Sequence, residues 1–328
     1  MRRRWAPEYC WSSMKLAFII DPLESLKIHK DSSVAMMREA LVRGHDIFVM
    51  QQGDLSYENK VIMAQVHKLR LIEPEVDSSR WYDESSKARV PLEYFDVVMM
   101  RKDPPFDMEY IYSTYLLEMA QQKGVRVINH PRSVRDHNEK LAITKFPDFI
   151  PATLVTRNEH LIREFLNQHQ DIVLKPLDGM GGASIFRVHS TDHNLSVILE
   201  MMTHYGTRTI MAQRFIPEIV LGDKRILLLA GKPVPYALAR KPKAGEIRGN
   251  LAAGGTGVAQ PLTERDLAIA NTLGPILNNR GLMLVGLDVI GDSLTEINVT
   301  SPTGMQEITK QTGFNVAGMM IDALEALD

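Results

Sequence analysis

Cysteine is almost absent from this chain, with only Cys10 among its 328 residues. A single thiol excludes an internal disulfide framework and a metal cluster held by several cysteines. Cys10 also lies in residues 1–13, a stretch with three arginines and two of the three tryptophans that differs from the remainder of the sequence. We interpret this stretch as a vector-derived or start-site extension, which leaves the folded body without a thiol for catalysis.

Strong charge imbalance and long apolar runs are also lacking. The formal net charge is -2, so no overall basic field indicates a nucleic-acid partner. No apolar run reaches the ~18 residues that a membrane-spanning helix requires. With 45% hydrophobic and 24% charged residues, the composition is typical of a soluble protein with a substantial core. The scarcity of cysteine fits a reducing compartment, so we predict a cytoplasmic protein without nucleic-acid or membrane partners.

Two well-known phosphate-binding motifs are missing. The chain has no G-x-x-x-x-G-K-[ST] motif, which excludes a P-loop nucleoside triphosphatase. It also has no G-x-G-x-x-G after its first strand, so the fingerprint of a dinucleotide-binding Rossmann fold is missing. Residues 174–186, LKPLDGMGGASIF, instead place Lys175 at a strand end before three glycines. Glycine allows backbone N–H groups to approach an anion closely, and the lysine adds a positive charge. A structural turn beside a surface lysine explains the same pattern at least as well.

Alternating strands and helices dominate the remaining chain. Residues 15–20 and 47–50 are apolar strands, and residues 31–43 between them have helical spacing that ends at Gly44. This β-α-β rhythm predicts an α/β fold with a parallel sheet covered by helices. Further strands are predicted at 96–100, 125–129, 151–156, 171–176 and 209–216, and further helices at 108–123, 138–146, 158–169, 193–204, 263–280 and 315–326.

The order of these elements predicts three structural units after the extension. They are an N-terminal α/β unit at 14–137, a strand–helix–strand unit at 138–216, and a hairpin-rich unit at 217–328. Within the last unit, residues 241–257 read as a glycine-rich loop. A loop of that length inside a compact domain is typical of a mobile lid.

Residues 283–302, MLVGLDVIGDSLTEINVTSP, read as a β-hairpin with three oxygen-bearing side chains. If the turn centres on Asp292, Asp288 faces Glu296 directly and Asn298 lies on the same face as Glu296. Two adjacent carboxylates repel each other, and a divalent cation relieves that repulsion. A set of oxygen ligands suits Mg²⁺ or Mn²⁺, and Mg²⁺ in addition binds substrate phosphates.

Two alternatives to this metal site remain open. A solvated hairpin with ordinary polar residues on its outer face is about as well supported by the hairpin alone. A two-residue turn at Gly291 and Asp292 would place Asp288 and Glu296 on opposite faces of the hairpin. The metal site therefore requires an odd-numbered loop or a β-bulge.

Other polar residues are candidates for nucleotide and substrate contacts. Arg225, Arg240 and Arg248 flank a hairpin and the glycine-rich loop, and arginine binds phosphate or carboxylate through paired hydrogen bonds. Lys140 lies in a predicted helix, where a lysine is usually exposed to solvent. The backbone of residues 213–216 could contact an adenine edge, although its composition alone indicates a core strand.

Together these residues resemble a known family. Lys140 in NEK, Lys175 in LKPLDGMGG and the acidic hairpin are similar to motifs of the ATP-grasp superfamily. The motifs MRKDPPFD, TLVTRN, GDKRILLL, EIRGNLAAGG and LTEINVTSPTG further resemble the prokaryotic glutathione synthetases. The resemblance covers nearly all of residues 14–328.

The resemblance implies an ATP-grasp fold in which ATP lies between two small sheets, preceded by an N-terminal parallel-sheet domain. Family members join γ-glutamylcysteine to glycine with ATP. The implied cofactor is Mg²⁺ or Mn²⁺, and the implied assembly is a homo-oligomer, for which a tetramer is one arrangement. The implied site residues are Lys140, Lys175, Gly179, Gly181, Gly182, Gln213, Arg214, Phe215, Ile216 and Asp223 for ATP; Asp288, Glu296 and Asn298 for the metal; Arg225, Arg240, Arg248 and Asn250 for catalysis; and Arg101, Ser301 and Thr303 for the peptide.

The chain departs from this resemblance at one position. Thr256 stands where family members carry a loop arginine, so Lys241 or Lys243 would supply that charge unless it is dispensable. Two other functions stay open at this point. One is another ATP-grasp ligase, such as a D-alanine–D-alanine ligase or a ribosomal-protein glutamate ligase. The other is a nucleotide sensor without catalysis, which would have no need for a metal site at the transferring phosphate.

Overall fold

The computed structural model describes residues 13–72, 81–179, 183–243 and 255–327. These residues form an α/β protein with three β-sheets of eight, four and five strands, so the predicted fold class is confirmed. Within these ranges, no helix combines the length and the apolar character that crossing a bilayer requires.

The eight-stranded sheet is formed by the N-terminal part of the chain. Its strands and helices are β1 (Lys15–Ile19), α1 (Ser32–Val42), β2 (Asp46–Met50), β3 (Leu55–Glu58), β4 (Val61–Leu71), β5 (Tyr82–Glu84), β6 (Ala88–Pro91), β7 (Val97–Met100), α2 (Met108–Gln121), β8 (Arg126–Ile128) and α3 (Pro131–Asp136). The main order is β3-β4-β2-β1-β7-β8, and β5 and β6 also pair with β4. The pairs β1–β2, β1–β7 and β7–β8 are parallel, which confirms the predicted parallel sheet for these four strands. The pairs that involve β4 are antiparallel, so the whole sheet is mixed.

The four-stranded sheet follows in the chain and is antiparallel. It contains β9 (Thr153–Thr156), α4 (Glu159–His169), β10 (Asp171–Pro176), β11 (Phe186–His189), α5 (Leu195–Thr203) and β12 (Ile210–Arg214), with the strand order β11-β10-β12-β9. Both helices pack against one face of the sheet. Helices and sheet form a small core there, in which Leu166 and Leu199 pack with Ile172 and Leu174. One face of this sheet thus remains available for a ligand.

The five-stranded antiparallel sheet contains the predicted acidic hairpin. Its elements are β13 (Asp223–Leu229), β14 (Lys232–Lys241), β15 (Thr256–Pro261), α6 (Glu264–Asn279), β16 (Leu284–Ile290), β17 (Ser293–Asn298), α7 (Met305–Thr312) and α8 (Val316–Glu325), with the strand order β15-β14-β13-β16-β17. This sheet shares its cores with the eight-stranded sheet. One core joins Val98 to Val285, and another joins Phe18 to Met320.

Several local predictions need correction. The helix predicted at 138–146 is a short 3-10 turn, Leu141–Lys145, and Lys140 lies just before it. No strand was assigned within residues 51–94, which contain the eleven-residue β4 and the short strands β3, β5 and β6. The loop predicted at 241–257 is shorter at both ends, since Lys241 closes β14 and Thr256 opens β15. The helices α3 and α7 were not predicted.

The start of α6 offers a test of local stability. Thr263 caps this helix: its hydroxyl accepts a hydrogen bond from the Asp266 backbone N–H (3.1 Å), and its own N–H donates to the Asp266 carboxylate (3.0 Å). We expect Thr263→Ala to lower the free energy of unfolding by about 1 kcal/mol, measured by urea denaturation. Thr272→Ala, at an exposed position of the same helix, should change it by less than about 0.5 kcal/mol. Equal effects of the two substitutions would contradict the capping role.

Candidate active site

The acidic hairpin of β16 and β17 places its polar side chains as one set. Asp288 is paired with Glu296, and Gly286 with Asn298, as the sequence predicts. The strands nevertheless meet in a two-residue turn, since Ile290 pairs with Ser293. A shift of register after the Asp288 pair reconciles these facts, because one extra residue in β17 returns Glu296 to the face of Asp288.

Thr295 is the extra residue at this β-bulge. Its hydroxyl donates a hydrogen bond to the backbone oxygen of Asp288 (3.1 Å), which ties the irregular part of β17 to β16. Gly286 is the second local requirement. A side-chain carbon at Gly286 would lie 2.9 Å from both the Arg225 side chain and Pro302, so only glycine leaves room for the arginine there.

Asp288 is enclosed by two arginines. The Nε atom of Arg225 donates to Asp288 Oδ1 (2.5 Å), and Arg240 Nη2 lies 2.9 Å from Oδ2. Burial alone would raise the pKa of this carboxyl, but the two guanidinium groups hold it well below its usual range. Asp288 therefore keeps its negative charge at a lower pH than a buried carboxyl without these arginines would.

Asp223 completes this buried group of charges. Its Oδ2 atom accepts a hydrogen bond from Arg240 Nη2 at 2.5 Å. Burial raises the pKa of Asp223 to about 6 despite the neighbouring arginine, and the negative charge of Asp288 contributes in the same direction. Asp223, Arg225, Arg240 and Asp288 come from three adjacent strands, and we refer to them as the buried charge cluster.

Lys140 connects the hairpin to the glycine-containing turn after β10. Its Nζ atom lies 3.0 Å from Glu296 Oε1 and donates to the backbone oxygen of Gly179 at 2.6 Å. The side chain is almost fully buried, contrary to the ordinary expectation for a lysine in a helix. Burial and this carboxylate contact together place one ammonium group beside the predicted metal ligands.

Lys175 lies on β10 and is held by a neighbouring strand. Its Nζ atom donates to Gln213 Oε1 (2.7 Å), and Gln213 Nε2 donates to Thr153 Oγ1 (3.0 Å). Burial lowers the pKa of Lys175, because desolvation disfavours its charged form. From the sequence, only the backbone of Gln213 was predicted to contact the adenine. Its side-chain role was missed, although diagonal neighbours on antiparallel strands are a signal for such a contact.

These residues border one large cavity of about 580 Å³ between the four-stranded and five-stranded sheets. Its size is within the usual range of small-molecule sites. The predicted site residues that line it are Lys140, Lys175, Gly179, Gln213, Arg214, Phe215, Ile216, Asp223, Arg225, Arg240, Asp288, Glu296, Asn298, Ser301 and Thr303. Four further predicted residues, Gly181, Gly182, Arg248 and Asn250, lie outside the described residues, as does most of the predicted lid.

Arg101 does not line this cavity, and neither do Lys241 and Lys243, the candidates for the loop charge. Arg101 lies behind the wall, where its guanidinium donates to Ser33 Oγ (3.0 Å) and to the backbone oxygen of Pro302 (2.9 Å). Burial lowers the pKa of this arginine. Pro302 separates Ser301 from Thr303, so Arg101 supports the segment that carries both peptide candidates. The geometry thus favours an indirect role over the predicted peptide contact.

The side-chain oxygen atoms on the hairpin are suitable ligands for a magnesium ion. Among the residues that the structure describes, Glu296 uses only Oε1 in hydrogen bonds. Asn298 donates through Nδ2 to the Gly286 backbone oxygen (3.2 Å), which leaves its Oδ1 as an acceptor. In the same ranges no three His, Cys, Asp or Glu side chains form a metal-binding group. Such a sparse oxygen set suits Mg²⁺, which keeps waters and takes substrate phosphates as further ligands.

Comparison with solved structures defines the class of this protein. D-cycloserine synthetase superposes with a TM-score of 0.67 at 14% identity, covering 95% of this chain and 98% of the other. A RimK domain protein with an ATP-grasp fold from Sphaerobacter thermophilus superposes with a TM-score of 0.58 at 17% identity, covering 94% and 99%. The fold is therefore the ATP-grasp fold, as predicted.

Sequence comparison identifies the family within this class. The model of the prokaryotic glutathione synthetase N-terminal domain matches residues 14–135, and the model of the ATP-grasp domain of the same enzymes matches residues 139–313. The glutathione synthetase of Nitrosomonas europaea is 66% identical over 95% of this chain and 98% of its own length. That of Ralstonia nicotianae is 58% identical over 95% of both chains. The chain belongs to the prokaryotic glutathione synthetase family.

Proposed function

We propose that this protein joins γ-glutamylcysteine to glycine with ATP, giving glutathione, ADP and phosphate. The observation that carries the proposal is the 66% identity to a glutathione synthetase over 95% of the chain. The cavity supports it, because lysines, arginines and oxygen ligands suited to a metal–nucleotide complex surround one space. Both relatives described above are glutathione synthetases, which favours this reaction over those of the D-alanine and glutamate ligases.

The reaction proceeds through an acyl phosphate. The cysteinyl carboxylate attacks the γ-phosphorus of ATP, and the bond to the bridging oxygen breaks to release ADP. The amine of glycine then attacks the acyl carbon, loses a proton and expels phosphate, which leaves the new amide. Phosphoryl transfer depends mainly on positioning and charge neutralisation, so no side-chain nucleophile is required.

The nucleotide is bound between the two smaller sheets in this proposal. Lys140 and Lys175 neutralise phosphate charge, and the turn at Gly179 brings backbone close to the same groups. Gly181 and Gly182 are proposed to take part in ATP binding as well. Residues 213–216 border the adenine, with Asp223 nearby. The buried positions of both lysines support these roles, since a charge acts more strongly where water is excluded.

Asp288, Glu296 and Asn298 are the proposed ligands of Mg²⁺ or Mn²⁺. The ion neutralises charge on the phosphates when it is bound. Glu296 and Asn298 provide oxygen atoms that no described residue occupies fully, whereas Asp288 is already paired with Arg225 and Arg240. Asp288 would hold the ion directly only where one of these arginines moved away, and would otherwise act on the ion through them.

The peptide and the reacting carboxylate lie beyond the phosphates in this arrangement. Arg225 and Arg240 face the cavity and stabilise the negative charge that develops on the acyl phosphate, together with Arg248 and Asn250. Ser301 and Thr303 offer hydroxyl groups to the peptide, and Arg101 supports their segment from behind. The proposed units 14–137, 138–216 and 217–328 correspond to peptide-binding, nucleotide-covering and catalytic parts.

Phosphate release tests the proposed activity directly. The protein is mixed with ATP, Mg²⁺, γ-glutamylcysteine and glycine, and each component is omitted in turn. We expect release only in the complete mixture, with glutathione identified by mass. A parallel panel offers D-alanine and glutamate as acceptors. Release that does not depend on γ-glutamylcysteine, or that prefers D-alanine, would contradict the proposal.

The protein is further proposed to be a cytoplasmic homo-oligomer, for which a tetramer is one arrangement. An exposed stripe on α2 supports self-association. Met108, Tyr112, Tyr115 and Met119 are 54%, 51%, 50% and 37% exposed, and their spacing places them on one face of the helix. Light scattering should give a multiple of the 37.0 kDa chain mass, and Tyr112→Glu should reduce it. A monomer at micromolar concentration would contradict this proposal.

A further inference from the structure

Glu139 precedes Lys140 and contacts the end of β17 through both its backbone and its side chain. Its backbone oxygen accepts a hydrogen bond from the Ile297 N–H at 2.9 Å. Its carboxylate oxygen Oε1 accepts three more, from the backbone N–H of Val299 (2.9 Å), the backbone N–H of Thr300 (3.1 Å) and the Thr300 hydroxyl (2.9 Å). One residue thus makes four hydrogen bonds to a four-residue segment.

This segment begins directly after Glu296 and includes Asn298, two of the proposed metal ligands. Glu296 and Asn298 are on β17, and the residues held by Glu139 lie between and immediately beyond them. The next residue after Glu139 is Lys140, whose ammonium group contacts Glu296 itself. Residues 139 and 140 therefore contact β17 at Glu296 and the backbone just beyond Asn298, so their contacts lie at both ends of the ligand-bearing segment.

Chain connectivity does not produce this arrangement. Glu139 and Thr300 are 161 positions apart, and no β-ladder continues β17 beyond Asn298 among the described residues. The backbone N–H groups of Val299 and Thr300 thus depend on a side chain for their partner. A carboxylate oxygen suits three donors at once, since it only accepts and its bonds are strengthened by charge.

We propose that Glu139 is a positioning residue, which aligns Glu296 and Asn298 with Lys140 by fixing the backbone that follows β17. The role rests on the proposed function of this cavity and deepens it. Glu139 also lines the cavity, but the role proposed here uses the carboxylate oxygen that holds the backbone. It sets the distance between the phosphate-binding lysine and the metal ligands, in the way that outer partners orient ligands at other metal sites.

Manganese binding tests this role without any turnover. Free Mn²⁺ is measured by electron paramagnetic resonance during titration of the protein with a non-hydrolysable ATP analogue present. We expect Glu139→Ala to weaken Mn²⁺ binding about ten-fold or more. Glu139→Gln should weaken it less than about three-fold, because the amide oxygen still accepts the three hydrogen bonds. In the complete assay, Glu139→Ala should lower kcat while the KM for glycine stays unchanged.

Asn158→Ala is the matched control. The Asn158 side chain likewise accepts hydrogen bonds from two backbone N–H groups, those of His160 and Leu161, but it does so at the start of α4. The Asn158→Ala variant should be less stable than the wild type but should bind Mn²⁺ with the same affinity. If Glu139→Ala does not fold, Glu139→Asp takes its place, because the shorter carboxylate keeps the charge and cannot reach all three donors.

Three results would overturn the proposal. They are wild-type Mn²⁺ affinity in Glu139→Ala or Glu139→Asp, equal losses in Glu139→Gln and Glu139→Ala, and an equal loss in Asn158→Ala. The titration contains no peptide and no glycine. A wild-type protein that binds Mn²⁺ with the nucleotide but makes no glutathione would therefore contradict the proposed reaction and leave the role of Glu139 intact.

Discussion

Glu296→Ala is expected to lower the rate of glutathione formation by at least about a hundred-fold at fixed Mg²⁺. Glu296 is the proposed ligand whose carboxylate is not paired with an arginine, and it also holds the ammonium group of Lys140. The substitution removes a metal oxygen and releases a buried lysine at once. Steady-state phosphate release over a range of Mg²⁺ concentrations measures both kcat and the Mg²⁺ requirement.

Asp292→Ala provides the control for this experiment. Asp292 lies in the turn of the same hairpin, where its side chain is exposed. It carries the same charge as Glu296 and is not among the residues that line the cavity. We expect its activity and Mg²⁺ requirement to match those of the wild type. A near-normal rate in Glu296→Ala would remove the hairpin from the proposed metal site.

Lys175→Met should reduce kcat/KM for ATP by about a hundred-fold, because a buried positive charge next to the phosphates is lost. The pH dependence gives a second signature. Burial lowers the pKa of Lys175, so its ammonium group loses its proton at a lower pH than an exposed lysine would. In the wild type, kcat/KM for ATP should therefore fall as the pH rises through that pKa.

The variant should lack this alkaline decrease, since methionine carries no proton to lose. Lys232→Met, at the exposed start of β14, controls for the loss of one positive charge from the protein. It should retain the wild-type rate and pH profile. An alkaline decrease of the same size in Lys175→Met would show that another group titrates.

The hairpin was predictable because its information is local. Strand side chains alternate with a period of two, so the spacing from Asp288 to Glu296 and Asn298 fixes their common face once the turn is known. The sequence also predicted that an even turn would need a bulge. It could not locate that bulge at Thr295, whose position depends on a hydrogen bond to Asp288 across the ladder.

The buried charge cluster was not predictable from local patterns. The sequence identified Arg225, Arg240, Asp223 and Asp288 separately and assigned them to different ligands. Their mutual pairing requires the strand order β14-β13-β16, in which Arg225 lies directly opposite both Leu238 and Asp288. Strand order is a long-range property, because Arg225 and Asp288 are 63 positions apart.

The burial of Arg101 was also not predictable from the sequence. A charged residue next to a proline-rich loop resembles a ligand contact in the sequence, yet its side chain is only 4% exposed. The parallel sheet buries both of its faces, and Arg101 follows β7 at its end. Burial of this kind arises from the layers of the fold, and the sequence pattern around Arg101 contains no sign of it.

The buried charge cluster has a consequence for how the empty protein assembles. Its two guanidinium groups and two carboxylates balance each other when Asp223 is ionised, so no bound anion is needed to keep the arginines inside the sheet. The five-stranded sheet can therefore fold without nucleotide or metal. Nucleotide and metal then bind to a sheet that is already folded, and the sheet stays folded when they are removed.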